Sequence, residues 1–462
     1  MKKSSMFILL IFLFISTANA QFYDLKDDQG LLSGGGGVTW IDNKPYINLH
    51  FNPELALGNV GIGLDLNLEF DQEGNLRTEN FNTAEDYLAI IRYVRYGKKL
   101  DPFYFRVGAL EYATLGHGSI MNFYNNSPSY DARKIGLVLD LDFNMFGFES
   151  VYSNFLNVGV GGMRAYIRPL KLTSLGSIPI IGDMEIAASF VADWDKNAGV
   201  FEGGIDPETG KFVATDDRGS VLVYGADVEF PIINTGITNL DLYYDFAKID
   251  GFGSGSSVGL MFDFEVSSLL DIRAKLERRW NTDQYVPSYF NSLYEIERFN
   301  FIPTDTLSGQ GIVNSKLKTV ANVVSEDNGY FGGLLFRVLN TFDIVGTYER
   351  LDNTPNSGVL HLSTSIMPEE APYIARAGYD KVRIGSETEI FTLDERSHLW
   401  AELGYKPFSY MIVSIMYRWN WTPVRDADKN ILFYETQEKV EPRITFVYPF
   451  DFGSGGEGED NP

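Results

Sequence analysis

The sequence predicts an all-β protein, a single antiparallel β-barrel that crosses a membrane, and three observations support this prediction. Apolar and polar residues alternate along many segments. These segments run for about ten residues, the length that a tilted strand needs to cross a bilayer. Aromatic residues gather near the segment ends, where they would meet the lipid–water boundary. We expect roughly 16 to 18 strands, joined by short periplasmic turns and long outer loops.

The beginning of the chain has the organisation of a secretory signal peptide. Lys2 and Lys3 precede an apolar run over 6–15, and small residues occupy 18 and 20 in the pattern that a signal peptidase reads. We therefore expect residues 1–20 to be cleaved. No later stretch approaches the ~18 uninterrupted apolar residues of a transmembrane helix, so strands must cross the membrane.

Four regions follow from these boundaries. After the signal peptide 1–20, the glycine run Gly34–Gly37 predicts a flexible Gly-rich segment over 21–40, outside the first strand. The barrel is expected over 41–452. Residues 453–462 are polar and acidic, which predicts a disordered tail.

Composition excludes several classes of protein. The 462 residues carry 62 acidic and 38 basic side chains, a formal charge of −24, so nucleic-acid phosphates would be repelled. There is no cysteine, which excludes disulfides and thiolate chemistry. With 34 Phe and 26 Tyr the chain is too aromatic to be disordered.

The alternation is clear in nine segments, each with one apolar and one polar face. In the first of them Leu64 and Leu68 share a face, and Asp65 and Glu69 share the other. The segments are 62–70, 137–143, 222–230, 240–246, 258–266, 270–276, 399–405, 411–419 and 444–450.

Charged residues on the polar faces are the candidates for lining the lumen, because the apolar faces of a barrel must meet lipid. Acidic residues outnumber basic ones among them, so we expect the lumen to favour cations. Pairing of these charges across strands, or a plug inside the barrel, would weaken that preference. The candidates are Asp65, Glu69, Arg106, Asp140, Asp142, Asp227, Glu229, Asp241, Asp245, Asp263, Glu265, Asp271, Arg273, Lys275, Glu277, Glu402 and Arg418.

The length of each connection between strands predicts which side of the membrane it faces. Tight turns are expected at 144–145, 267–268 and around Asn340, on the periplasmic side. Long polar stretches fit the outer side, and they are 110–133, 195–219, 281–329 and 368–397. The stretch 281–329 contains a cluster of aromatic residues. It would either fold inward and narrow the pore or project outward and bind a partner.

Three candidate binding sites, for phosphate, calcium and zinc, have little support in the sequence. Gly34–Gly37 lacks the Lys of a phosphate-binding loop. Asp193, Asp195 and Asn197 alternate as in a calcium loop, but the glycine and glutamate of that motif are out of place, so a solvated loop is the better interpretation. The four histidines show no zinc-ligand spacing. We therefore expect no metal and no cofactor.

An outer-membrane lipid hydrolase is the enzyme alternative. It would use a Ser activated by a His, and His117 and Ser119 lie close together in a predicted outer loop. No nucleophile motif surrounds them, and the neighbouring glycines are equally typical of a turn. We therefore expect no enzymatic activity.

The repeated amphipathic strands and the aromatic-rich last strand over 442–452 resemble bacterial outer-membrane porins and barrel transporters. The resemblance covers about 38–452. It implies a location in the cell outer membrane, contact with outer-membrane lipid, and passage of small solutes or ions. The last strand in that class usually ends the chain on an aromatic residue, whereas residues 453–462 follow Phe452 here. A scaffold, adhesin or secretion-assembly role is the alternative, with a homo-oligomer or protein partner bound through the long outer loops.

Overall fold

The computed structural model describes residues 29–451, except 80, 100, 179, 268, 306–307, 340 and 367–370. The predicted signal peptide and the predicted acidic tail lie outside the described residues. None of the helices within the described ranges is long and apolar enough to cross a membrane.

The chain is built almost entirely from β-strands that pair with their neighbours along the sequence. The strands are β1 Gln29–Ile41, β2 Lys44–Phe51, β3 Glu54–Leu57, β4 Val60–Leu64, β5 Leu66–Phe70, β6 Ile91–Tyr96, β7 Phe103–Gly108, β8 Gly136–Asp142, β9 Phe146–Tyr152, β10 Val160–Ile167, β11 Glu185–Asp193, β12 Val200–Ile205, β13 Phe212–Asp217, β14 Val221–Asn234, β15 Thr238–Ile249, β16 Ser254–Val266, β17 Leu270–Asn281, β18 Phe299–Asp305, β19 Gln310–Ser315, β20 Asp327–Val338, β21 Phe342–Leu351, β22 Gly358–Ile366, β23 Tyr373–Ile384, β24 Ser397–Phe408, β25 Met411–Arg425 and β26 Ile431–Asp451. Short helices are α1 Ala84–Leu88, α2 Tyr294–Glu297 and α3 Lys316–Ala321.

Most of these strands form one closed antiparallel barrel. β1 pairs with β2 on one side and with β26 on the other, from Gln29 opposite Asp451 to Ile41 opposite Lys439, which closes the ring. β2 and β3 pair with β5 and β4 as a single interrupted hairpin, so the ring contains 20 strands. The hairpins β12–β13 and β18–β19 stand outside the ring. The predicted barrel class is confirmed, but the ring has more strands than the roughly 16 to 18 expected from typical strand patterns.

The alternation predicted from sequence sets the two faces of the wall. On β16 and β17, Val258, Leu260 and Leu276 are exposed on the outer surface. Ser257 and Glu277, on the opposite face, are buried inside. A closed barrel with an apolar outer face leaves no unpaired strand edge in the bilayer, which is the architecture of outer-membrane proteins.

The predicted flexible segment over 21–40 is wrong for its described part, because Gly34–Gly37 lies within β1. Each of these glycines pairs with both neighbouring strands. A Cβ atom on Gly35 would lie 1.9 Å from the carbonyl oxygen of Ile444. Close approach between strands therefore explains the glycine run, and the described barrel begins at Gln29 and not at residue 41.

The predicted long loop over 368–397 is also wrong, because it contains strand β23. The polarity of this stretch predicts a loop, but the polar side chains of β23 are paired inside the barrel. Asp380 accepts a hydrogen bond from His361 on β22 at 2.8 Å, and Arg376 pairs with Glu402 on β24. Its outer connection is shorter, over 385–396.

The connections divide by length between the two rims. The rim that holds both described chain ends carries short turns at 58–59, 143–145, 235–237, 267–269, 339–341 and 409–410, and this is the periplasmic rim. The opposite, outer rim carries the long connections 71–90, 109–135, 194–220 and 282–326. The connection 168–184, with two turns of 3-10 helix, is the long exception at the periplasmic rim.

Candidate functional site

Two outer loops fold into the lumen, and we call them the first inner loop (109–135) and the second inner loop (282–326). The first inner loop reaches strands far apart around the ring. The Gly116 N–H donates to Glu149 on β9 at 3.3 Å, and the Ser129 hydroxyl donates to the carbonyl of Trp421 on β25 at 2.7 Å. The Phe123 ring stacks on His361 of β22 at 4.4 Å between centroids. The loop therefore crosses the lumen from wall to wall.

The second inner loop is joined to the first by backbone hydrogen bonds. The Phe290 N–H donates to the Ile120 carbonyl at 3.1 Å, and the Asn122 N–H donates to the Phe290 carbonyl at 3.0 Å. The Ser288 N–H donates to the Ser119 carbonyl at 2.9 Å. The two loops therefore form one unit inside the barrel.

Aromatic residues of the second inner loop form the core of this unit. They pack with Leu110, Met121 and Tyr124 of the first loop and with apolar wall residues such as Val191 and Ile249. The sequence is compatible with an aromatic cluster that folds into the pore or one that projects outward, and the structure places the cluster inside the lumen. Its members are Tyr285, Tyr289, Phe290 and Tyr294.

His117, at the centre of the first inner loop, contacts several acidic groups of the wall. Its Nε2 lies 2.8 Å from Glu229, and its Nδ1 lies 3.2 Å from Asp245 and 3.9 Å from Asp227. The ring stacks on Tyr243 with centroids 3.9 Å apart. Burial lowers the pKa of His117, but hydrogen bonds to Asp245 and Glu229 and the nearby charges outweigh burial and raise the pKa to about 9.

Basic groups balance part of this acidic wall. Arg164 on β10 donates two hydrogen bonds to Asp227, at 2.7 and 3.1 Å, and others to Glu149 and Glu185. Lys275 on β17 donates to the carbonyl of His117. The sequence analysis does not single out Arg164, which lies outside the clearly alternating segments. It considers His117 only as a partner of Ser119, because the carboxylates that His117 contacts are more than a hundred residues away in sequence. Only the glycines around His117 signalled a special position.

The contacts of His117 do not favour its pairing with Ser119 as the base and nucleophile of a hydrolase. Both ring nitrogens of His117 face wall carboxylates, so neither lone pair is directed at Ser119. The backbone carbonyl of Ser119 accepts from Ser288 and so holds the two loops together.

Several predicted lumen candidates gather at the periplasmic half of β14 to β17. Asp263 lies 3.9 Å from Arg273, and Asp271 lies 3.2 Å from the same guanidinium. Asp241 and Glu265 form no ion pair within 4 Å with any other described residue. This region, which we call the acidic wall, holds Glu229, Asp241, Asp263, Glu265 and Asp271.

The other candidates are dispersed around the ring, and most contact an opposite charge or an aromatic ring. Their contacts are Asp65 with Arg133 at 3.0 Å, Glu69 with Lys439 and Arg77, Arg106 with the Tyr93 ring, Asp140 with Lys99 at 3.1 Å, Asp142 with Arg168 at 3.0 Å, Glu277 with Lys275 at 2.6 Å, Glu402 with Arg376 and Arg443, and Arg418 with the Tyr130 ring.

Asp193, considered as part of a solvated calcium-like loop, is instead fully buried at the end of β11. It accepts hydrogen bonds from the hydroxyl of Tyr294 at 2.8 Å and from Arg298 at 3.3 Å. Both donors belong to the second inner loop. Asp193 therefore anchors this loop to the wall, a role that depends on a contact about a hundred residues away in sequence.

Comparison with known proteins finds matches of low sequence identity among solved structures. No family model matches the chain, and no curated protein sequence matches it. Among solved structures, OccK11 (OpdR) of Pseudomonas aeruginosa is 11% identical with a TM-score of 0.29, covering 91% of this chain and 95% of its own. OpdL of the same organism is 10% identical with a TM-score of 0.30, covering 95% and 99%. The ferric enterobactin receptor PfeA of Pseudomonas aeruginosa is 10% identical with a TM-score of 0.33, covering 92% and 82%.

Proposed function

We propose that this outer-membrane barrel is a channel for small solutes whose passage is narrowed by the two inner loops. The observation that carries the proposal is the unit formed by these loops inside the lumen. It is joined to the wall by apolar packing of its aromatic core and by hydrogen bonds of polar side chains, such as those of Ser129, His117 and Tyr294.

Partial exposure of lumen-side charges supports a wet path at the periplasmic half. The side chain of Glu229 is 25% exposed, that of Asp263 is 41% exposed and that of Arg273 is 45% exposed. Asp263 and Arg273 lie near the periplasmic ends of β16 and β17, whereas His117 meets the wall closer to the outer rim, at Glu229 and Asp245. A solute that passes the inner loops would therefore meet hydrated polar groups.

We also propose a modest preference for cations, because the acidic wall contains more carboxylates than bases. Asp241 and Glu265 lack a paired base among the described residues, and their negative charge would lower the energy of an entering cation. Most other lumen charges are paired, so the preference would arise mainly from this one part of the lumen.

Conductance of the purified protein in planar bilayers tests the channel proposal. We expect the native protein to conduct, and a variant whose second inner loop 282–326 is replaced by a short Gly-Ser linker to conduct more. A control that shortens only the exposed tip 207–209 of the β12–β13 hairpin should conduct like the native protein. Absence of conductance in a folded native barrel would contradict the proposal, and unchanged conductance after loop replacement would contradict the narrowing role.

We propose transport without ester hydrolysis. Neither phospholipid nor lipid-A esters should be cleaved by the native protein. An esterase activity that disappears in Ser119→Ala, while Ser127→Ala retains it, would reverse this proposal. The Ser127 hydroxyl is a suitable control because it lies in the same loop and binds the Asn126 side chain.

A further inference from the structure

We propose that His117, Asp227 and Asp245 form a site for a divalent transition-metal ion, which would link the first inner loop to β14 and β15. Each residue offers one ligand atom, and these three atoms lie within 4.8 Å of one another. Ligand atoms at about 2.0–2.2 Å from a zinc ion in a tetrahedral site are separated by about 3.4 Å. The Nδ1 distances of 3.2 Å to Asp245 and 3.9 Å to Asp227 are close to this separation.

The surroundings of His117 prepare Nδ1 to act as a ligand. A bound metal would displace the Nδ1 proton of His117 to solvent. Because Glu229 lies 2.8 Å from Nε2, the remaining proton would reside on Nε2 and leave the Nδ1 lone pair directed at the two aspartates. A carboxylate on the second nitrogen is the usual partner of a metal-bound histidine. The parallel ring of Tyr243 fixes the imidazole plane.

The carboxylates are held in a similar way. Arg164 orients Asp227 through two hydrogen bonds, and each carboxylate oxygen has a further lone pair for a metal. Asp245 is 2% exposed, and its Oδ2 is buried without a hydrogen-bond partner among the described residues. A buried carboxylate oxygen without a donor is costly, and a bound cation would satisfy it. This free oxygen is an observation separate from the spacing of the three ligands.

The local charge also favours a cation. Three carboxylates, those of Asp227, Glu229 and Asp245, lie within 4 Å of the His117 ring nitrogens, and Arg164 is the base that binds Asp227. The positive charge of Lys275 would repel a metal ion. This charge is offset by Glu277, which lies 2.6 Å from the amino group, and the amino group also donates to the carbonyl of His117.

The donor set indicates the class of metal. One imidazole nitrogen and two carboxylates, without thiolate, suit Zn²⁺, Mn²⁺ or Fe²⁺ better than Ca²⁺ or Mg²⁺, which prefer oxygen ligands alone. Because the ligands come from the first inner loop and from the wall, a bound ion would restrain this loop. The site therefore goes beyond the proposed channel, and metal binding can be measured independently of conductance.

Titration of the metal-stripped, detergent-solubilised barrel with Zn²⁺ and with Co²⁺ tests the proposal. We expect one ion per chain and, with Co²⁺, visible absorption from an ordered site. His117→Gln and Asp245→Asn should each abolish stoichiometric binding, and Glu229→Gln should weaken it by about 10–100-fold because the outer partner of the histidine is lost.

His50→Gln provides the matched control. His50 is also buried on the lumen side, but its nitrogens face Thr445 and Asn48 and no carboxylate. Its loss should leave Zn²⁺ binding unchanged, and heat-dependent gel mobility should show that each variant is a folded barrel. Lack of stoichiometric binding by the native protein would overturn the proposal. Binding that persists in both folded His117→Gln and Asp245→Asn variants would do the same.

Discussion

The structure explains why glycines flank His117 in the first inner loop. Gly116 and Gly118 flank His117 with φ angles of 51° and 82°, a region that residues with a Cβ rarely adopt. A Cβ on Gly116 would also lie 2.7 Å from Cδ of Arg164. These two glycines let the backbone turn tightly at the wall and present the imidazole to its carboxylates. The glycines were visible in the sequence, but their partner Arg164 is set by the fold.

Gly116→Ala should displace the first inner loop from the wall. The left-handed backbone costs a non-glycine residue of order 1–3 kcal/mol, and the contact with Arg164 adds to this cost. We expect a folded barrel with noisier and larger conductance in planar bilayers. Gly58→Ala is the matched control, because Gly58 has the same φ of 51° but an added Cβ would meet nothing within 4 Å. Equal behaviour of the two variants would count against the role of Gly116.

Glu111, also in the first inner loop, should make the channel sensitive to pH. Burial raises the pKa of Glu111 to about 7, although the charges of Arg106 and Arg92 lower it. The carboxyl is therefore neutral below this pH and charged above it. We expect cation selectivity, measured as a reversal potential, to rise between pH 6 and pH 8 in the native protein. In Glu111→Gln this rise should be smaller, and an unchanged rise would exclude Glu111 as a source of it.

At the scale of elements, the sequence predicts those strands whose two faces differ in polarity. β14 to β17 alternate clearly because one face meets lipid and the other carries charges. β1 was missed because glycines close to Ile444 replace side chains on both of its faces. The sequence does not predict β23, because its charged residues occupy both alternating positions, Arg376 and Asp380 on one face and Lys381 and Arg383 on the other. The inward folding of the two inner loops could not be predicted, because it depends on contacts between chain segments more than a hundred residues apart, such as Tyr294 with Asp193.

Phe290 should be the main apolar link within the inner-loop unit. It is fully buried, its backbone pairs with the first inner loop, and its ring lies 4.7 Å from that of Tyr294. Truncation of a buried Phe to Ala costs about 3–5 kcal/mol. We expect Phe290→Ala to keep the barrel, seen as heat-resistant gel mobility, but to expose the second inner loop to protease. Phe391→Ala, at an exposed outer position, should leave digestion unchanged. Equal digestion of both variants would contradict this link.

At the scale of the whole molecule, the apolar exterior is continuous around the ring, whereas the charges inside are unevenly distributed. The sequence predicted which face of each strand carries charge, but the partner of each charge is fixed only when the ring closes and the loops enter. Arg133 and Arg77, for example, come from outer loops to meet Asp65 and Glu69 on the wall. Pairing of this kind leaves Asp241 and Glu265 of the acidic wall among the described carboxylates that have no ion pair within 4 Å.

Replacement of three carboxylates of the acidic wall should therefore remove the proposed cation preference. In the variant Asp241→Asn, Asp263→Asn, Glu265→Gln, the remaining charges near this wall would be those of Glu229, Asp271 and their basic neighbours. Screening acts over roughly 8 Å at 0.15 M salt and roughly 30 Å at 0.01 M. We thus expect the reversal potential of the native protein across a salt gradient to show a weak preference for cations at high salt and a stronger preference at low salt. The variant should show little preference at either concentration.

A matched control keeps the number of neutralised charges but moves them to the outer rim. Glu208→Gln, Asp216→Asn and Asp217→Asn lie in the connection 194–220, away from the periplasmic half of the lumen. This control should retain the native reversal potential at both salt concentrations, because its changes are distant from the acidic wall by more than a screening length at high salt. Anion preference of the native protein would contradict the proposal, and so would equal selectivity of the two triple variants.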